Sequence, residues 1–134
     1  MSAHRLEVEV LKRRALEFLE EARAALRRCS FDVSCFLAEQ ALQLYLKSVL
    51  LRVVGEYPRT HSVRRLLGEL SRILGSRELE EHVKANRVRL SALEDAYLMA
   101  RYFVKEYSRE DAEDMVKLVE ETLSVISRAL GGRG

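Results

Sequence analysis

The sequence predicts an all-α fold, an up-and-down antiparallel bundle of about five helices. Apolar residues recur at steps of three and four along nearly the whole chain, and the alternation typical of strands is absent. Only one proline and 6 glycines interrupt the 134 residues, and most of these glycines stand where a helix would stop. The short connections that remain are typical of bundles. With no internal repeat or linker, we expect a single domain over residues 1–134 that frays at 131–134.

The composition excludes several classes of protein. An apolar share of 48% is too high for a disordered chain. A net charge of +2 is below what strongly basic nucleic-acid binders carry, although weak nucleic-acid binding stays open. Cys29 and Cys35 are too few for a disulfide framework or a zinc site, and both are expected to be buried thiols. His4, His61 and His82 stand far apart in the sequence, so we expect no metal site and no cofactor.

Neither a secretory leader nor a membrane span is predicted. The most apolar stretch, residues 48–54, contains Arg52 and is too short to cross a bilayer. We therefore expect a cytoplasmic protein with no membrane partner.

The first two predicted helices differ in how their apolar residues are arranged. The first carries one apolar stripe from Val8 to Cys29. The second, from about Asp32 to Val54, is apolar around most of its circumference, which is usual for a helix at the centre of a bundle. Its exceptions form one narrow polar stripe: Glu39, Gln40, Gln43 and Lys47.

Stop and start signals mark the third helix. Gly55 and Pro58 end the second helix and open a short loop. Apolar positions then recur over residues 63–74, and Gly75 closes this third helix. Residues 76–87 are polar and fit either a short helix or a loose crossing.

Two more helices complete the predicted bundle. The apolar stripe of the fourth helix covers residues 90–104. Ser108 with Asp111 three residues later predicts a capping box at the start of the fifth helix. The two glycines from Gly131 onward end it.

The polar stripe of the second helix has two interpretations. The favoured one is a solvated seam or a hydrogen-bonded network between helices. The functional one is a groove that faces a partner or a nucleotide, with Lys47 as the counter-charge of a phosphate.

A second group of polar residues lies on the fourth helix: Asp95, Tyr97, Arg101 and Tyr102. Tyr97 and Arg101 are one turn apart, so their side chains can stack, and the planar guanidinium of Arg101 suits a phosphate. The competing interpretation is that Arg101 forms an ion pair with Glu39 or Asp95 inside the bundle. The sequence leaves both open.

A third candidate is the corner at Thr60, His61 and Ser62, before the third helix. A histidine here is more often a capping or packing residue than a general base. A helix N-terminus also attracts anions, which makes this corner a candidate phosphate contact.

Four stretches of the chain, in order, resemble the HEPN family. They are Ala15-x-x-Phe18-Leu19-x-x-Ala22, the run from Phe36 to Lys47, the run from Pro58 to Val63, and Tyr97-x-x-x-Arg101-Tyr102. The resemblance implies a helical bundle that typically forms homodimers. Many small prokaryotic members act with a minimal nucleotidyltransferase as a toxin–antitoxin pair.

The resemblance to the ribonuclease branch of this family is partial. That branch uses an arginine and a histidine separated by four to six residues, in two copies that the dimer brings together to cleave RNA. Arg101 fits the arginine, but Glu106, Tyr107 and Ser108 occupy the histidine positions. The ribonuclease motif is therefore incomplete, and His61 can supply the base only if folding brings it beside Arg101.

Three hypotheses follow. The first is a homodimeric module that docks a minimal nucleotidyltransferase and binds nucleotide through the polar residues named above. The second is an RNA-cleaving toxin with a non-standard site of Arg101, Tyr102 and His61. The third is a structural interaction bundle whose polar stripes close a dimer seam.

Overall fold

The computed structural model describes residues 3–131, which form a bundle of six α-helices. The predicted fraying at 131–134 lies, except for Gly131, outside the described residues. The six helices are α1 Ala3–Arg27, α2 Phe31–Val54, α3 Val63–Leu74, α4 Arg77–Ala85, α5 Arg87–Tyr102 and α6 Arg109–Leu130. The all-α bundle is confirmed. The helix that is additional to the predicted five is α4, within the polar stretch 76–87. It forms there because Ser76 caps it by accepting a hydrogen bond from the backbone N–H of Leu79.

Helix α2 is the centre of the bundle, as its apolar circumference predicts. It packs against α1, α3, α5 and α6. Its largest fully buried side chains are Leu42, Leu46, Leu50 and the acidic Glu39. They meet an apolar layer from the other helices that includes Leu66, Leu67, Leu70, Leu79, Leu90, Leu93, Leu118 and Ile126.

Local signals end and begin these helices where the sequence predicts. Gly55 has a φ of +91° and its N–H bonds the carbonyl of Leu51, which closes α2. The capping box of α6 is present, with Ser108 and Asp111 each accepting the other's backbone N–H. Among residues 3–131, no helix is long and apolar enough to cross a membrane.

Two predictions about apolar residues are wrong. The fourth predicted helix extends to Val104, but α5 ends at Tyr102, where Phe103 adopts an extended backbone. Val104 is therefore fully exposed. Cys35 is buried, but Cys29 is exposed because α1 ends before it and its backbone turns to a φ of +63°.

Candidate functional site

A buried carboxylate lies at the base of the candidate site. Glu39 has no exposed surface, although it is charged in water. Its Oε1 accepts a hydrogen bond from Gln40 Nε2 at 2.8 Å, and its Oε2 accepts one from Gln43 Nε2 at 2.8 Å. Burial raises the pKa of Glu39 to about 7, against the opposing effect of these amides and of Lys47.

Gln43 joins this carboxylate to two basic side chains. Its Oε1 accepts a hydrogen bond from Lys47 Nζ at 3.2 Å and lies 3.2 Å from His61 Nδ1. Burial lowers the pKa of Lys47, whose ammonium also lies 5.6 Å from the ring centre of Tyr57. The polar stripe of α2 is thus a hydrogen-bonded network that reaches the loop before α3.

The corner before α3 is held by a residue that the sequence analysis missed. The carboxylate of Glu94, on α5, accepts a 2.6 Å hydrogen bond from Ser62 Oγ and pairs with Arg64 at 3.0 Å. Partial burial raises the pKa of Glu94, but these bonds outweigh it and hold the pKa below its ordinary value. Ser62 also caps α3, and Thr60 Oγ1 accepts the N–H of Ser62. The residues on both sides of His61 are therefore held by hydrogen bonds.

Helices α2 and α5 and this loop build an aromatic cluster around Tyr97. The His61 ring stacks on the Tyr97 ring, with centres 4.6 Å apart and planes at 16°. The Arg101 guanidinium carbon lies 4.4 Å from the Tyr97 ring centre, 4.6 Å from that of Tyr102 and 5.3 Å from that of Phe36. His61 and Arg101 therefore contact the same ring, which brings together two residues 40 positions apart in the printed sequence.

Among the described residues, Arg101 has no carboxylate partner. Its Nε donates to the backbone carbonyl of Tyr97 at 3.1 Å. Within residues 3–131, no carboxylate oxygen lies within 4.0 Å of its guanidinium. Of the two interpretations that the sequence leaves open, the ion pair with Glu39 or Asp95 is therefore wrong. Its terminal nitrogens keep donors for a ligand.

The candidate residues thus separate into three groups. Gln43, His61, Tyr97 and Arg101 form one continuous line of contacts, with Tyr102 on Arg101 and Glu39, Gln40 and Lys47 behind Gln43. Thr60 supports the loop. Asp95 is exposed and, among the described contacts, joins none of these side chains. Phe36 and Glu94 were missed, the first because it reads as an ordinary core residue of α2.

The residues at the incomplete ribonuclease motif do not replace the histidine. Tyr107 is buried, its N–H donates to Asp32 Oδ1 at 2.7 Å, and burial raises its pKa to about 12. A phenol with that pKa is a poor base near neutral pH. Ser108 caps α6, and Glu106 is exposed. His61 is the imidazole that contacts the same Tyr97 ring as Arg101.

Comparisons with known proteins agree with this architecture. The family model described as the HEPN domain matches residues 8–129. No curated protein matches the chain at a significant level. The crystal structure of TT1696 from Thermus thermophilus superposes with a TM-score of 0.76 at 24% identity, covering 92% of this chain and 98% of that one. That of ST0689, an archaeal HEPN homologue, gives 0.67 at 24% identity, covering 91% and 97%.

Proposed function

The chain belongs to the HEPN family, and we propose that it is a homodimeric cytoplasmic module that acts with a minimal nucleotidyltransferase. We propose further that this module binds a nucleotide at His61, Tyr97, Arg101 and Tyr102. The main support for the nucleotide site is the environment of the Arg101 guanidinium. This guanidinium rests on three aromatic rings and has no carboxylate partner among the described residues.

The chemistry of this cluster suits a nucleotide better than an uncharged ligand. The rings and the Tyr97 carbonyl hold the guanidinium in place, while its terminal nitrogens are available for a bidentate contact with a phosphate. Tyr102 is 66% exposed and offers a face on which a base can stack. A phosphate and an aromatic base on one small ligand would use both features.

The surface next to the site supports a protein partner. Leu98, Tyr102, Phe103 and Val104 are exposed at or just after the end of α5, each within three positions of Arg101 in the sequence. Exposed apolar residues grouped in this way are typical of interaction surfaces. We propose that a second copy or the transferase covers them, so that the nucleotide lies at the edge of the protein interface.

Isothermal titration with adenosine 5′-monophosphate tests the nucleotide site. Charge-assisted hydrogen bonds contribute about 1.5–3 kcal/mol, so Arg101→Ala should weaken binding roughly 10- to 100-fold. Arg87→Ala is the matched control, because Arg87 is an exposed arginine at the opposite end of α5. Equal weakening in both variants, or no binding by the wild type, would contradict the proposed site.

The partner proposal has a separate test. Native affinity purification followed by mass spectrometry should recover a nucleotidyltransferase, and light scattering should give the mass of a dimer. A monomer that recovers no transferase would contradict this part and favour a structural bundle. In that case, substitution of Gln40 and Lys47 would change association without changing any ligand binding.

RNA cleavage is a second candidate, favoured by the contact of His61 and Arg101 with one ring. In such a reaction His61 Nε2 takes the proton of a ribose 2′-hydroxyl, the 2′-oxygen bonds to the adjacent phosphorus, and the phosphorus–O5′ bond breaks. Water protonates O5′, and Arg101 stabilises the charge on the phosphoryl oxygens. His61→Ala and Arg101→Ala should each abolish cleavage. Activity that survives both substitutions would come from a contaminant.

A further inference from the structure

The orientation of the Gln43 amide is fixed by its neighbours. Above its pKa of about 7, Glu39 is a carboxylate that only accepts hydrogen bonds, so the group that meets its Oε2 at 2.8 Å is the Gln43 amide nitrogen. An ammonium only donates, so the group that meets Lys47 Nζ at 3.2 Å is the Gln43 oxygen. These two contacts independently require the same orientation.

This orientation determines which nitrogen of His61 carries its proton. His61 Nδ1 lies 3.2 Å from Gln43 Oε1, an acceptor, so the bond forms only when Nδ1 is protonated. In the neutral imidazole the other nitrogen, Nε2, then has a free lone pair. The stacking on Tyr97 fixes the plane of the ring at the same time.

We propose that Glu39 and Gln43 are positioning residues that hold His61 in its Nδ1–H tautomer. They thereby leave Nε2 free as a hydrogen-bond acceptor, on an imidazole that contacts the same Tyr97 ring as Arg101. A ligand that matches both carries a phosphate for Arg101 and a hydroxyl for His61. This combination is found in a ribonucleotide, and a deoxyribonucleotide has one fewer hydroxyl to offer. This choice of ligand rests on the function proposed above, whereas the tautomer does not.

A second histidine supplies an internal reference with the opposite tautomer. The hydroxyl of Thr122 donates to the carbonyl of Leu118 at 2.7 Å, so its oxygen can only accept from His82 Nε2, which lies 2.8 Å away. The Asn86 amide nitrogen lies 3.2 Å from His82 Nδ1 and donates to it. His82 is therefore expected to carry its proton on Nε2.

Long-range proton–nitrogen NMR correlation on the ¹⁵N-labelled free protein tests the tautomer. At about pH 8.5 imidazoles are neutral, and the two nitrogens of each ring report which one is protonated. We expect His61 as Nδ1–H and His82 as Nε2–H. His4 is the reference, because it is exposed on α1 and its ring makes no hydrogen bond to another described residue. His61 with its proton on Nε2, or with the same pattern as His4, would overturn the proposal.

Two variants test whether the positioning residues cause this tautomer. Gln43→Leu removes the acceptor that faces Nδ1, so the His61 signals should move to the pattern of His4. Gln40→Leu is the matched control, because Gln40 also donates to Glu39 but does not bond His61. Unchanged His61 signals in a folded Gln43→Leu protein would overturn the role of Gln43. If that variant fails to fold, the double variant Glu39→Gln/Lys47→Met replaces it. It removes both contacts that orient the Gln43 amide and should shift the His61 signals in the same direction.

The choice of ligand is tested apart from the tautomer. Titration with adenosine 5′-monophosphate and with its 2′-deoxy analogue should give at least a severalfold preference for the ribonucleotide, and His61→Ala should remove that preference. Equal affinity of the wild type for both would overturn the ligand class. Failure of both to bind would contradict the nucleotide site itself and leave the NMR result standing.

Discussion

The buried Glu39 carboxylate should make the stability of the protein depend on pH in a direction opposite to that of an ordinary ion-paired acid. Burial raises its pKa from 4.5 to about 7 in the folded protein. Between these values the unfolded chain has released the proton and the folded protein retains it. Raising the pH through this range therefore favours the unfolded chain, and the contribution of Glu39 to stability falls.

The size of the effect follows from the same two values. At about 1.4 kcal/mol for each pH unit, the fall between pH 4.5 and 7 is roughly 3 kcal/mol. Glu39→Gln keeps the shape of the side chain and removes this cost. It also leaves one of the two donor amides without an acceptor, a loss of about 1 kcal/mol. The variant should therefore be more stable than the wild type by about 2 kcal/mol at about pH 8, and less stable than it by roughly 1 kcal/mol at about pH 4.5, where the cost of the buried charge is absent and the lost hydrogen bond remains.

Urea denaturation followed by circular dichroism measures this difference. The free energy of unfolding is compared for wild type and Glu39→Gln from about pH 4.5 to 8, so that the titration of every other group cancels. Glu106→Gln, at an exposed position, is the control and should track the wild type throughout. A difference between wild type and Glu39→Gln that does not change with pH would show that the pKa of Glu39 is not raised in the folded protein.

Three further predictions concern stability. Burial lowers the pKa of His82, so the unfolded chain takes up a proton at a higher pH than the folded protein does. The His82 contribution should be complete above about pH 6.5 and be lost as the pH falls below it, and His82→Gln should flatten that part of the urea-derived profile. Leu42→Ala, at a fully buried position on α2, should lower the free energy of unfolding in urea by about 2–5 kcal/mol. Leu98→Ala, at a half-exposed position, should lower it only slightly. Ser108→Ala should destabilise the protein by about 1 kcal/mol and lower its thermal midpoint, because α6 loses its capping box. Ser124→Ala, at an exposed position within α6, should leave the thermal midpoint unchanged.

The helices and the polar stripe could be predicted because they depend on local spacing. Steps of three and four identify the helices, and the contact between Tyr97 and Arg101 follows from their separation of one turn. Val104 and Cys29 were mispredicted for one reason. Periodicity extends a stripe past the point where the backbone leaves the helix, and both residues lie beyond such an end.

The rest of the site depends on contacts between distant parts of the chain. Glu94 fixes the corner before α3 through a bond to Ser62 across 32 residues, and no local pattern marks it. The complete burial of Glu39 depends on the helices that surround α2. The approach of His61 to Tyr97 depends on how the loop packs on α5. Sequence spacing could name these residues, but only the fold decides which of them meet.

The proposed nucleotide site is tested most directly by locating the bound nucleotide. Adenosine 5′-monophosphate is titrated into the ¹⁵N-labelled protein while the backbone amides and the side chains of His61 and Arg101 are followed by NMR. If the proposed site is correct, saturable shifts will be centred on His61, Tyr97, Arg101 and Tyr102, with the Arg101 side chain among the largest. Shifts centred instead on the groove of Lys12 and Arg52 between α1 and α2, or no saturable shifts, would contradict it.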